Sequence, residues 1–294
     1  MQWLGTCVRS ISVSLSPHTG HVTVIDDHSP ISLLDTQIQN QIAYGVDVRR
    51  VEYLRNSTTL GVAGNSHQAL VTYGLNGDAD FVCMPGHDDY VFPNYTDEVA
   101  RLFDRHPDAV IAQPDVCLIN DNDQRVPPKI ADKIKRRLRP RRGELGGEAA
   151  VARLMTGNFL YTPALAYRRE ALKAVGQWKI PAVHDLATVV DILMQGGTIA
   201  FGEVPCFAYR RHYGSDSATR SRDVTRITEE QLYFGRIARV LDDIGWHRAA
   251  RAARRHVTAR AHALLSAAAN ARHSRFSAAC SLTGRALGKV HGKD

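Results

Sequence analysis

HVTVIDDHSP, at residues 21–30, is a β-branched run that stops at two aspartates and a turn. Such a run predicts a buried strand that ends in an acidic loop. RRVEYLRNS (49–57) repeats the pattern, and DADFVCMPG (78–86) and DAVIAQPDVCLI (108–119) are two further predicted strands. We therefore expect several short strands whose ends carry polar residues.

Helical patterns lie between these strands. A short one begins at Leu4, GVAGNSHQALVTYGL (61–75) is a second, and TDEVARLFDRH (96–106) is an amphipathic third. Strands that alternate with helices of this length predict an α/β sheet, mostly parallel, with helices on both faces. In such sheets ligands bind beyond the carboxyl ends of the strands. The predicted loops there carry Asp26, Asp27, Asp88 and Asp89.

The composition is that of an ordinary soluble globular protein, since 44% of the 294 residues are hydrophobic and 23% are charged. The five cysteines are scattered and include no C-x-x-C pair, so neither a disulfide framework nor a zinc site is indicated. A reducing cytoplasm fits this usage. No apolar run is long enough to predict a membrane span.

Charge and composition change along the chain. We place a domain boundary near residue 222, with a 1–222 α/β domain and a helical, basic 223–294 extension. Much of the net charge of +7 lies in 129–142 and in the tail from Arg248 onward. Such patches suit phosphates, nucleic acid or an anionic membrane, or are simply solvated surfaces. We expect the tail to contact the inner face of an anionic membrane.

The paired aspartates in MPGHDDYVFP (84–93) are the first candidate for chemistry. Carboxylates at a loop mouth bind hard divalent cations such as Mg²⁺ or Mn²⁺ through oxygen, and such an ion neutralises a diphosphate leaving group. A turn or a helix cap is the alternative role for an Asp-Asp pair.

The order and spacing of several segments carry a resemblance. VIDDHS (24–29) is followed by the Arg-Asn pair at 55–56, GVAGN, HDDYVFPNY and HPDAV, and then by GNFLYTPALAYRREALKAVGQW (157–178), HDLATVVDILMQGG (184–197) and YRRHYGSDS (209–217). Over roughly residues 3 to 220 this pattern resembles glycosyltransferase family 2. The resemblance implies a GT-A fold, a mixed sheet flanked by helices, and a nucleoside-diphosphate sugar as donor.

The resemblance also implies donor and metal residues. It assigns the nucleotide base and ribose to Asp26 and Asp27, with Arg55 and Asn65 nearby. The metal-binding D-x-D element falls on Gly86, His87 and Asp88. The first carboxylate of that element is therefore missing, and the implied metal ligands are Asp88, Asp89 and His212. Arg210 and Arg211 would approach the diphosphate, because guanidinium groups suit phosphate geometry; an exposed loop is the alternative.

A general base must remove the proton of an acceptor hydroxyl as it attacks the anomeric carbon. By resemblance this base is Asp185, preceded by His184 where the family has glutamate; helix capping is the alternative for Asp185. Gly157, Asn158 and the 167–169 run match a segment that lines the acceptor side. Asp191, six residues after Asp185, is expected to be structural, because neighbours on a helix are three or four residues apart.

These assignments predict inverting transfer of a sugar to a hydroxyl of a cell-surface polysaccharide or glycolipid, by a cytoplasmic protein that is peripheral at the inner membrane face. An inactive relic or scaffold is the first alternative. A nucleotidyltransferase is the second, although no early Gly-rich phosphate loop is present. A nucleic-acid-binding module ranks last, because the basic residues are not interleaved with aromatics.

One departure from the family concerns the start of the chain. Family members open with an apolar strand that ends in a Pro-x-Tyr-Asn-like turn, whereas QWLGTCVRSIS (2–12) has the pattern of the first helix. The resemblance therefore implies a missing central strand, encoded upstream of Met1 or lost in a decayed gene.

Overall fold

The structure is a computed structural model that describes residues 3–15, 18, 20–42, 44–175, 183–212 and 224–257, together with residues 260, 264 and 283. The boundary expected near residue 222, the 213–217 end of the last matched segment and most of the basic tail lie outside the described residues.

Eight strands form two sheets in the described part of the chain. The first sheet pairs β1 with β2 in parallel, and the second has the order β3-β7-β5-β8-β4, with β6 also paired to β8. The strands are β1 (Val22–Asp26), β2 (Val51–Arg55), β3 (Phe81–Cys83), β4 (Tyr90–Val91), β5 (Ile111–Ile119), β6 (Gly143–Gly146), β7 (Ala166–Arg168) and β8 (Thr198–Arg210).

Nine α-helices accompany these strands in the ranges described. They are α1 (Leu4–Leu15), α2 (Thr36–Ile42), α3 (Gly61–His67), α4 (Tyr95–Arg105), α5 (Ile130–Leu138), α6 (Gly147–Thr156), α7 (His184–Met194), α8 (Val224–Asp243) and α9 (His247–Arg255). A π-helical stretch, Gln68–Gly74, continues α3. None of the described helices is both long and apolar enough to cross a bilayer.

The expected α/β class is confirmed, but the expectation of a mostly parallel sheet is wrong. Strand β5 runs parallel to β8, whereas β3, β4, β6 and β7 pair antiparallel with their neighbours. Each antiparallel pair joins strands that are distant in the sequence, so their relative direction depends on long connections and does not follow from local periodicity. The sheet is mixed, as the GT-A resemblance implies.

The six-stranded sheet is covered on both faces. Alternate residues of β8 enter different cores: Ile199 and Phe201 belong to a core with α6, α7, α8 and α9, and Ala200 belongs to one with α4. Helices α8 and α9 therefore share the core of the sheet. Helix α9 packs on it through Ala249, Ala250 and Ala253.

A cleft of about 1440 Å³ separates the two sheets. Residues Val22 to Ile25 of β1 line one wall and Phe81 to Cys83 of β3 line the other. Among the described strands, β1 has only β2 as a partner and β3 has only β7. Each therefore turns an open edge toward the cleft. This position also explains why β3, expected to be buried, is only half-buried.

Candidate active site

The cleft runs on past the carboxyl ends of β1 and β3, where it brings together most of the polar residues that the sequence singles out. Its walls include Asp27, Asn65, Asp88, Asp89, Gly157, Asn158, His184, Asp185 and His212. These residues come from six separate segments, and the fold places them around one space.

Asp27 fixes the loop on the two-stranded side. Its carboxylate accepts hydrogen bonds from the backbone N–H groups of Leu60 and Gly61, both at 2.8 Å, and from Asn56 Nδ2 at 2.9 Å. Gly61 has a φ of +72°, in the left-handed region where glycine is favoured. Asn56 also donates to Asn65 Oδ1 at 2.9 Å, so Asp27 and Asn65 form one wall.

Asp26 and Arg55 do not face the cleft, contrary to the role implied for them. The buried Asp26 carboxylate accepts from Ser29 N at 2.9 Å and Leu33 N at 3.2 Å and forms an ion pair with Arg55. Burial alone would raise the pKa of Asp26, but these hydrogen bonds and the guanidinium charge outweigh it and lower that pKa. The pair holds the loop after β1.

Asp88 and His212 meet on the opposite side of the cleft. His212 Nε2 lies 2.8 Å from Asp88 Oδ2, and the two side chains are 10% and 16% exposed. The imidazole ring packs on Trp3, with ring centroids 4.6 Å apart. Trp3, which directly precedes α1, thus brings an aromatic ring to this site. Cys7 on α1 donates a hydrogen bond to the Gly86 carbonyl at 3.2 Å.

Asp89, one of the predicted metal ligands, is held by backbone hydrogen bonds. Its side chain is buried and accepts from Arg210 N at 2.9 Å and Gly86 N at 3.2 Å. Desolvation, reinforced by the charge of Asp88, raises the pKa of Asp89 to about 8, although both backbone hydrogen bonds act against the shift. Asp89 therefore joins the end of β8 to the Gly86 turn instead of offering a free carboxylate.

Arg210 is also displaced from its implied role. Its fully buried side chain donates from Nε to the Asp88 carbonyl at 2.6 Å and from Nη1 to the Asn120 carbonyl at 2.7 Å. Its Nη2 lies 2.6 Å from the Asp123 carboxylate. The guanidinium also stacks over Trp3, 5.1 Å from the ring centroid. It fixes the backbone of Asp88, and its donors are not directed at a diphosphate.

Arg211 points away from the cleft as well. Its guanidinium forms an ion pair with the buried Asp132 of α5. Asp132 also accepts a hydrogen bond from the Tyr161 hydroxyl at 3.1 Å. Arg211 therefore fastens α5 to the end of β8.

Asp185 lies at the N-terminal end of α7, on the cleft wall that the six-stranded sheet supplies. Thr162 donates its hydroxyl to Asp185 Oδ2 at 2.9 Å, and the Leu186 N–H donates to Oδ1 at 2.8 Å. A carboxylate near a helix N-terminus is stabilised by the helix dipole. The two hydrogen bonds give the side chain one orientation at the cleft.

The acceptor-side assignments divide into two groups. Gly157, Asn158 and His184 line the cleft with Asp185. Arg168 and Arg169 do not, because their guanidinium groups donate to the Ala109 and Gly77 carbonyls. Asp191 is buried on α7, in agreement with the structural role expected for it.

The donor set fits a divalent cation in part. In the ranges that the structure describes, no three His, Cys, Asp or Glu side chains converge as a complete metal site. Magnesium is commonly held by one or two carboxylates together with substrate phosphates. Asp88, supported by His212, fits such a site, whereas Asp89 does not.

Sequence reasoning missed three residues of this site: Trp3, Asn56 and Thr162. Trp3, Asn56 and Thr162 are placed by contacts with residues far away in the sequence. Asn56 alone had a signal, because it directly follows Arg55 at the predicted end of β2.

Comparison with known proteins gives matches in structure but not in sequence. No family model and no curated protein matches the chain. S. aureus TarS 1-349 in complex with UDP-GlcNAc is 13% identical at a TM-score of 0.50, covering 100% of this chain and 90% of that one. The same fragment with UDP is 14% identical at 0.51, with the same coverage.

A third match is a mannosyltransferase. Mannosyltransferase PcManGT from Pyrobaculum calidifontis, in complex with GDP-Man and Mn²⁺, is 15% identical at a TM-score of 0.52, covering 93% of this chain and 79% of that one. At such identities the likeness concerns the fold. The chain has the mixed α/β fold of these nucleotide-sugar-bound proteins, which confirms the predicted fold class.

Proposed function

We propose that this chain, which has the fold of proteins that bind nucleoside-diphosphate sugars, transfers a sugar from such a donor to a hydroxyl acceptor. The observation that carries the proposal is the convergence of Asp27, Asp88 and Asp185 on one cleft beyond the carboxyl ends of β1 and β3. The solved neighbours bound to UDP-GlcNAc and GDP-Man support the donor class. Family 2 membership is part of the same proposal.

The nucleotide would lie against the two-stranded side. Asp27 and Asn65 are held there by Asn56 and the backbone N–H groups at the start of α3, so their positions are fixed before a ligand arrives. Asp26 and Arg55 support this wall from behind. Such preorganisation reduces the ordering cost of binding.

Asp88 would hold a divalent cation, Mg²⁺ or Mn²⁺, with His212 beside it. When bound, the ion would supply positive charge to the leaving diphosphate. The Mn²⁺ in the mannosyltransferase neighbour supports this choice. The chain's own contribution is the fixed carboxylate, which Arg210 positions through the Asp88 carbonyl.

Asp185 would accept the proton of the acceptor hydroxyl. Thr162 and the Leu186 N–H orient its carboxylate, and Asn158 and His184 line the cleft beside it. We infer a single displacement, which inverts the anomeric centre, because one base then suffices. The acceptor belongs to a cell-surface polysaccharide or glycolipid, and transfer takes place at the cytoplasmic side of the membrane.

We also propose that a further β-strand belongs between β1 and β3. Both open edges face the cleft, and their unpaired backbone groups would gain partners from an inserted strand. The N-terminal end of α1 lies beside Gly86, at the edge where a strand parallel to β1 would end. A polypeptide segment joined ahead of α1 would thus reach the space.

The transfer proposal is tested by incubating the chain with UDP-GlcNAc or GDP-Man, with and without Mn²⁺, and measuring the nucleoside diphosphate released by slow transfer to water. Release should require the metal and fall in Asp185→Asn. Asp121→Asn, which alters an exposed aspartate outside the cleft, is the matched control. A folded chain that binds UDP or GDP but releases none would support the alternative, a nucleotide-binding scaffold.

A further inference from the structure

Helix α5 is fastened to the domain by charged side chains. Asp132 is fully buried, accepts a hydrogen bond from the Tyr161 hydroxyl at 3.1 Å and pairs with Arg211. One turn later, Lys135 Nζ donates to the Leu160 carbonyl at 2.9 Å. The inward side of this helix is therefore ionic.

Two isoleucines of α5 are exposed instead, whereas Leu138 at the end of the helix packs against the large core. Ile130 is 78% exposed and Ile134 is 46% exposed. Residues four apart lie on the same face of a helix, so the two isoleucines form one apolar strip. Surface helices normally bury their aliphatic face and expose their charges. The two isoleucines depart from that arrangement, because they are exposed at the border of the cleft and are available to a partner outside this domain.

The charges around the strip are all positive. Asp132 is the one acidic residue between positions 129 and 142, and it is buried. No ion pair joins the exposed cations of this segment to another residue that the structure describes. These cations are Lys129, Lys133, Arg136, Arg137, Arg141 and Arg142.

We propose that α5 docks on the surface of an anionic lipid bilayer. Ile130 and Ile134 enter the boundary between headgroups and acyl chains, and the six cations meet the anionic headgroups. Charge complementarity selects this partner. A neutral bilayer offers no anionic groups for the cations to pair with, and nucleic acid offers no apolar surface for the two isoleucines. The basic tail is a separate segment, and α5 does not depend on it.

The same docking has a consequence for the acceptor, which rests on the proposed transfer function. Ile130 and Ile134 border the cleft that holds Asn158 and Asp185. A bilayer under α5 therefore lies at the acceptor side of the cleft. The acceptor is then a hydroxyl carried by a lipid, presented at the headgroup level.

The test is co-sedimentation of the full chain with vesicles of phosphatidylcholine alone and of an equimolar mixture with phosphatidylglycerol. The mixed vesicles should bind the chain, and Ile130→Ser with Ile134→Ser should weaken binding about tenfold. The matched control is Ile31→Ser with Leu232→Ser, at positions that are 60% and 62% exposed elsewhere on the surface.

The charges are tested in the same assay. Arg136→Gln with Arg137→Gln should weaken binding about fivefold per cation removed, whereas Arg236→Gln with Arg239→Gln on α8 should not. Far-ultraviolet circular dichroism of each variant confirms the fold.

Equal binding to both vesicle types, or isoleucine variants that bind like the parent chain, would overturn the proposal. Binding of duplex RNA through α5, together with failure to co-sediment with the mixed vesicles, would also overturn the proposal. The assay needs no sugar transfer, so loss of donor turnover and loss of vesicle binding are distinguishable failures.

Discussion

The two sheets that enclose the cleft are stabilised in different ways. The six-stranded sheet is covered on both faces by large apolar cores. The two-stranded sheet packs on five buried hydrophobic residues, Val8, Val22, Val24, Leu33 and Ile42. Burial of apolar surface is the main stabilising term in folding, so the six-stranded side is expected to be the more rigid wall.

Hydrogen bonds from charged side chains stabilise much of the two-stranded side. Arg50 donates to the Gly20 carbonyl at 2.9 Å and to the Leu15 carbonyl at 3.0 Å, which ties the end of α1 to the start of β2. Asp26 accepts a hydrogen bond from the loop after β1, and Asp27 accepts one from the start of α3. The proposed nucleotide wall is thus held by hydrogen bonds, and the wall with the proposed base is held by packing.

The largest expected difference between the walls is chemical. Asp185→Asn should lower kcat for donor turnover about 100- to 10,000-fold, because the base is lost while Thr162 can still hold the side chain. Asp27→Asn on the other wall should mainly raise KM, since that residue only binds. Steady-state kinetics with each donor separate the two effects, and similar kcat losses in both variants would contradict this division.

The cores should also differ in what a truncation costs. Leu154→Ala, fully buried in the large core, should lower the free energy of unfolding by about 3–5 kcal/mol. Leu33→Ala should cost less than half of that, because its small core lies near the open cleft and can relax. Urea denaturation measures both, and equal losses would show that the two walls are equally packed.

An added strand in the gap between the sheets should bring the stability of the two-stranded side closer to that of the six-stranded side. A segment of six alternating Val and Thr residues joined by a flexible linker ahead of Trp3 should raise Tm by about 4 °C or more, for a gain of about 2 kcal/mol. The same segment with prolines at alternate positions lacks the N–H donors for strand pairing and is the matched control. No difference between the two fusions would exclude a strand site.

The smallest expected effect is the pH dependence of the stability that Asp26 contributes. Because the pKa of Asp26 is lowered in the fold, the stability it contributes is present above its unfolded pKa and lost as pH falls through the folded value. Asp26→Asn should therefore lower the stability of the chain at pH 7, and this loss should be smaller at about pH 3, below the ordinary pKa of an aspartate. Hydrogen exchange of β1 amides at both pH values checks this, and a pH-independent difference would contradict it.

Much of the fold could be predicted from local patterns. The strand at 22–26, the strand at 51–55 and the helix at 95–105 follow from periodicity and turn residues near each other in the chain. The antiparallel returns of β4 and β7 could not, because strand pairing depends on connections that periodicity does not encode. The separation of β1 from β3 was expected only through the family resemblance.

The positions of the site's aspartates could be predicted from the sequence, but the orientations of its arginines could not. Asp27 directly follows β1, Asp88 lies in the loop between β3 and β4, and Asp185 lies in the first turn of α7. All three positions are at the cleft. Arg210 and Arg211 were assigned to the diphosphate from the family resemblance and from the chemistry of guanidinium groups. Their partners, the Asp88 carbonyl and Asp132, lie 122 and 79 residues away in the sequence and decide their orientation instead.

The most direct test of the central claim is calorimetric titration of the chain with UDP, GDP and dTDP, each with and without Mn²⁺. Binding of one nucleotide that requires the metal, is lost in Asp88→Ala and is retained in Asp185→Asn is the predicted result. No binding by a folded chain, or binding that Asp88→Ala leaves unchanged, would contradict a nucleotide-sugar site in this cleft.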